Sequence, residues 1–101
     1  MVAPEGVQVV GIAWYPADQY VALRALMKDG HRMPATHVEW ETQAEALEQK
    51  LRGNGQRTVR ALLDVDAFRQ FVDRHGLDVD AKGRMAFANW CAQQAHRNGD
   101  R

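Results

Sequence analysis

Val7-Gln8-Val9-Val10-Gly11-Ile12-Ala13-Trp14-Tyr15 is the stretch that decides how this chain folds. Its β-branched and aromatic side chains suit a pleated strand. The apolar run is nearly continuous instead of alternating, so the strand is expected to be covered on both faces, as helical crossovers provide. Gly11 in its middle predicts a bulge or a close backbone approach. A second strand is predicted over Arg57–Leu63. There Val59, Ala61 and Leu63 point one way and Thr58, Arg60 and Leu62 the other, which leaves one face partly open or puts the strand at an edge. The excursion of about forty residues between the strands permits parallel pairing, which a tight hairpin does not.

Helices fill the rest. Pro16 ends the strand and suits a first helical turn, and Tyr20, Leu23 and Leu26-Met27 make an apolar stripe over Ala17–Asp29, with Gly30 as terminator. Thr36-His37-Val38-Glu39 spells a capping box for a helix reaching about Arg52. Trp40, Ala44, Leu47 and Leu51 form its expected buried face, with Glu39, Glu41, Glu45, Glu48 and Gln49 covering the remainder. Asp64 caps a third helix that buries Phe68, Phe71 and Val72 and ends at Gly76. Asp78 or Asp80 caps a fourth, reaching roughly His96, with Met85, Phe87, Ala88, Trp90, Cys91, Ala92 and Ala95 as its apolar positions. The expected fold is one domain over residues 1–101, α/β bordering on α+β, with two central parallel strands and about four helices in the order β-α-α-β-α-α. Residues 1–6 and 97–101 read as loose ends.

Composition narrows the function classes. Thirteen basic and thirteen acidic side chains cancel, which gives no overall attraction to nucleic acid or an anionic membrane. The halves differ, however: residues 1–50 carry a net −3 and residues 51–101 a net +3. Cys91 is the only cysteine, so an intramolecular disulfide and a thiolate-rich metal site are excluded. A buried thiol in a reducing cytosol is expected, with neither a signal peptide nor a membrane span.

The segments AWYPADQYVALRALMKDG (13–30), PATHVEWETQAE (34–45) and LDVDAKGRMAFANW (77–90) resemble a small family of short bacterial proteins of unknown function. The shared marks are Trp14-Tyr15 with Tyr20, Pro34 and Thr36 with Trp40, and Phe87-Ala88. The resemblance implies no activity.

Candidate sites compete with structural roles. Trp14, Tyr15, Tyr20 and Trp40 gather where the first strand turns into a helix, a place that faces the ligand crevice in open α/β sheets. Packing on one another, or sealing the core as a lid, is the simpler explanation and the one favoured. His31, Arg32 and His37 surround one loop and could converge on an anion, but their spacing completes no metal set, and His37 is expected to be exposed. Asp64, Asp66, Asp78 and Asp80 are explained by capping without a cation. Cys91 and His96 lie roughly 140° apart around a helix, a poor nucleophile–base pair. Arg52, Arg57, Arg60, Arg69, Arg74, Lys82 and Arg84 could form a basic patch, without any recognisable DNA-reading element. No catalytic residue, metal or cofactor is therefore expected. The expected role is a non-enzymatic accessory or protein-interaction domain, self-associating as a homodimer or meeting a protein partner. The alternative is a small-molecule-binding domain using Trp14, Tyr15, Tyr20 and Arg32, and an enzyme is a distant third.

Overall fold

Strand β1 (Val9–Trp14) pairs in parallel with β2 (Arg57–Leu62), and the computed structural model describes residues 9–99, with side chains through 95. Of the loose ends expected at 1–6 and 97–101, residues 1–6 and 100–101 lie outside the described residues, as do Val7 and Gln8, whereas 97–99 are not loose but continue the last helix. Between the strands run α1 (Tyr20–Leu26) and α2 (His37–Gly53); after them come α3 (Val65–His75) and α4 (Ala81–Gly99). The order is β-α-α-β-α-α, with two parallel strands and four helices among the described residues, an α+β arrangement. The register sets Gly11 beside Val59, Ile12 beside Arg60 and Trp14 beside Leu62.

Three layers result. Gly11 points at α4 and is the close approach that the sequence suggested: a Cβ there would lie 2.0 Å from the Ala88 carbonyl oxygen. The opposite face of β1 meets α2, where the Trp14 and Trp40 rings pack edge to face at 5.0 Å between centroids. Tyr20, Leu23, Leu63 and Phe68 are completely enclosed between these layers. The sheet has only two strands, too few to stand alone, so most of the core is helix against strand.

The helix ends follow local chemistry. Thr36 accepts from the Glu39 N–H at 3.2 Å, and Glu39 reaches back to the Thr36 N–H at 3.3 Å, completing the capping box of α2. Asp64 accepts from the Ala67 N–H at 3.0 Å and Asp80 from the Gly83 N–H at 3.0 Å. Gly76 closes α3 at φ +66°, a left-handed position that favours glycine.

Four expectations need correction. The first helix is not continuous over Ala17–Asp29: a 3-10 turn (Ala17–Gln19) precedes α1, and Met27 is extended and buried. The Lys28 N–H bonds the Val79 carbonyl at 2.8 Å, which draws the chain out of the helix and turns Met27 into the core. On α2, Glu48 is buried at 3% exposure and Leu47 is 46% exposed, the reverse of the expected pattern. The inward row is Trp40, Ala44, Glu48, at spacing four, because Arg60 on β2 supplies a partner for the carboxylate. On α4, Met85 and Trp90 are exposed at 64% and 47%, and Ala95 is exposed as well, since the buried positions of this helix are Gly83, Phe87, Ala88 and Ala92. Cys91 is half-buried, not fully enclosed.

The opposite charges of the two halves meet inside the molecule. Asp29 receives two hydrogen bonds from the Arg84 guanidinium, at 2.7 and 2.8 Å. Glu48 receives two from Arg60, at 2.7 and 2.9 Å. In each pair the carboxylate comes from the acidic half and the arginine from the basic half.

Candidate functional site

The aromatic junction is a packed nest, not an open crevice. Trp14, Tyr15, Tyr20 and Trp40 are all buried. Tyr15 sits edge to face with Trp40 at 4.8 Å and with Tyr20 at 5.6 Å between centroids. The Tyr20 hydroxyl donates to the Pro34 carbonyl at 2.6 Å, tying α1 to the loop before α2. Burial pushes the Tyr15 phenol far above its ordinary range, so it stays neutral. The Arg60 guanidinium stacks 3.8 Å over the Trp14 ring while it holds Glu48.

His37 belongs to the same nest, which corrects its expected exposure. Its Nε2–H donates to the Tyr15 carbonyl at 2.7 Å, and its ring packs against Tyr20 and Trp40. His31 and Arg32 lie exposed on a 3-10 turn (Gly30–Arg32). The loop therefore does not gather the three around an anion. Arg32, proposed with the aromatic residues, stands outside their nest.

The other candidates are held by structural partners. Asp64 and Asp80 cap helices, and Asp78 pairs with Lys28 at 3.1 Å. Arg52, Arg60 and Arg84 of the basic set are engaged by Glu48 and Asp29. Burial raises the Cys91 thiol above its ordinary range. Among the described residues no three His, Cys, Asp or Glu side chains come together as a metal site, and no helix is long and apolar enough to cross a membrane.

What the fold leaves open is a groove along β1. It has a volume of about 460 Å³. The floor is Val10, Gly11, Ile12 and Ala13. Leu47 and Leu51 of α2 form one wall, and Met85 and Ala88 of α4 form the other. Tyr15, Met33 and Trp40 close one end, so the aromatic nest borders the groove without being its cavity. Among the described residues the one charged side chain in the lining is Arg84, already bonded to Asp29. Hydrogen bonding from Arg84 holds the Asp29 carboxyl below the usual carboxylate range, so the pair stays ionised and internally satisfied at neutral pH.

The groove exposes backbone as well as side chains. The Leu63 N–H donates to the Trp14 carbonyl at 2.8 Å, which places the polar backbone of Trp14 on the β2 side. Strand alternation then directs that of Ile12 and Val10 the same way, and that of Val9, Gly11 and Ala13 away from β2, with Gly11 and Ala13 lining the groove. Sequence reasoning from alternation pointed to an edge only for the second strand. It did not find the groove, although a charge-free run on an edge strand was the available signal. Comparison with protein-family models, with curated proteins and with solved structures gives no match for this chain.

Proposed function

We propose that this chain is a non-catalytic interaction domain that receives a partner in the groove along β1. The observation that carries the reading is an uncharged strand edge with no strand paired to it among the described residues, flanked by exposed Leu47 and Met85. Exposed apolar surface beside unpaired backbone is a surface that association would cover. The polar groups nearest the groove already have structural partners: Arg84 holds Asp29, and His37 holds the Tyr15 carbonyl. The segments resembling the short bacterial family supply the nest that fixes the groove's closed end. The half-buried thiol of Cys91 suits a reducing compartment such as the cytosol.

An NMR titration of the isotope-labelled protein tests the reading. Apolar peptides are expected to shift Leu47, Leu51, Met85 and Ala88. Shifts confined to Phe71 of α3 and Trp90 of α4, which lie outside the groove lining, would refute the groove as the binding surface. The volume of about 460 Å³, with Trp40 and Tyr15 at one end, favours a second reading as a small-molecule site. It gains ground if small apolar compounds, and not peptides, shift the same residues. The dimer expected from sequence remains a proposal for the helix surfaces around Trp90, and sedimentation as a monomer at high concentration would remove it.

A further inference from the structure

We propose that the groove's occupant is a bare extended segment of a partner protein, at least about five residues long and uncharged, which joins β1 as an added strand. This rests on the groove being the interaction surface.

Length comes from the backbone. Val9, Gly11 and Ala13 each direct an N–H and a C=O away from β2, Gly11 and Ala13 within the groove lining, while the next outward carbonyl, that of Tyr15, is occupied by His37 at 2.7 Å. Among the described residues the open window is therefore Val9–Ala13, bounded at its C-terminal end by the occupied Tyr15 carbonyl. Neutrality comes from the walls. Leu47, Leu51, Met85 and Ala88 offer no counter-charge, and Arg84 is held by Asp29. A charged side chain entering between them would lose water without gaining a partner. β2 differs, because the exposed Arg57 stands at its start and carries a charge along that strand. Both faces of an added strand would meet a helix wall, so its side chains should be apolar on both faces, not alternating.

A second copy of β1 does not fit. The α4 backbone sits directly over Gly11, where even a Cβ would lie 2.0 Å from the Ala88 oxygen. Two-fold pairing of β1 strands about 4.8 Å apart would bring two α4 helices to similar separation. Packed helices need about 8–10 Å. The occupant must come without a helix above it.

The test uses an acetylated, amidated peptide of the sequence Val-Gln-Val-Val-Gly-Ile-Ala-Trp, which matches the edge chemistry and lacks α4. It is added to the whole labelled protein while amide exchange is followed. Saturation is expected to slow exchange at Val9, Gly11 and Ala13 by about tenfold or more. A fully N-methylated version should bind about tenfold more weakly or worse, having lost its donors. Binding that shifts Leu47 and Met85 but leaves Gly11 and Ala13 exchanging as before overturns strand addition while keeping the groove. Equal binding of a peptide with glutamate in place of its glycine overturns the neutral requirement. No binding in the millimolar range overturns the inference, and a footprint at Phe71 and Trp90 overturns the groove reading itself. A protein that sediments as a dimer with Gly11 and Ala13 already protected overturns it in favour of a second copy.

Discussion

Gly11→Ala puts the seating of α4 on β1 to a direct test. The added Cβ would lie 2.0 Å from the Ala88 oxygen and 2.4 Å from its carbonyl carbon, where ordinary contact begins near 3.4 Å. Both atoms are backbone, so no rotamer change relieves the overlap. The helix must retreat by about 1.4 Å, and a radial gap of even about 0.5–1 Å forfeits a quarter to a half of the contact energy. The face that would lift includes Phe87, Ala88 and Ala92, all buried. Burying Phe87 stabilises by about 1.5–3 kcal/mol and each alanine methyl by somewhat under 1 kcal/mol. Losing about half of that, with added strain, gives a destabilisation of about 2–3 kcal/mol. The smaller entropy of an unfolded alanine offsets about 0.4–1 kcal/mol, which sets the net nearer 2 kcal/mol. Thermal melts followed by circular dichroism should show a drop of roughly 8–16 °C at 4–8 °C per kcal/mol. Urea titration should give a lower midpoint at unchanged slope. Ala88→Gly should not rescue the variant, because the clash is with the carbonyl and not the methyl. A Gly11→Ala protein within about 0.5 kcal/mol of the parent, or one rescued by Ala88→Gly, would refute the reasoning.

The remaining predictions concern charge, packing, caps and the thiol. Asp29→Asn should lower stability by about 1–2 kcal/mol near neutral pH, a charged hydrogen-bond pair discounted for its partial exposure. Hydrogen bonds from Arg84 and Arg60 hold Asp29 and Glu48 below the usual carboxylate range. Both ionise more readily folded than unfolded, so their contribution is complete above the ordinary range near pH 4 and disappears as pH falls through the lower folded values. Urea midpoints should therefore fall on that acid side, and less steeply in Asp29→Asn; a flat profile would contradict the pairing. Trp14→Ala should cost about 3–5 kcal/mol by urea unfolding, whereas Trp90→Ala, at 47% exposure, should cost well under half as much. Asp64→Ala should cost about 1 kcal/mol through loss of the α3 cap, checked by the same titration. Cys91 should react with iodoacetamide more slowly in the folded protein than in urea, since burial raises its thiol.

Much of the architecture was legible because local chemistry speaks for itself. Thr36 with Glu39, Asp64 and Gly76 each signal a helix end through groups a few residues apart. The glycine in β1 announced a close approach without saying to what, since Ala88 lies far along the chain. Glu48 was misplaced for the same reason. Its spacing of four from Ala44 sets it on the buried face, but a carboxylate is expected outside until Arg60 is known to face it. His37 was read as exposed because the Tyr15 carbonyl that holds it is distant in sequence. The groove depends on where two helices stop covering a strand, which depends on their lateral placement and not on periodicity. The sequence therefore named Tyr15 and Trp40, which border the groove, together with Trp14 and Tyr20, which lie in the nest behind it.

Amide hydrogen exchange along β1 in the free protein tests the central claim most directly. An edge open at Val9–Ala13 predicts alternating protection: slow exchange at Val10, Ile12 and Trp14, which bond to β2, and fast exchange at Val9, Gly11 and Ala13. Equally slow exchange at Gly11, Ala13 and Ile12 in the monomer would show the edge to be closed, and would contradict the account.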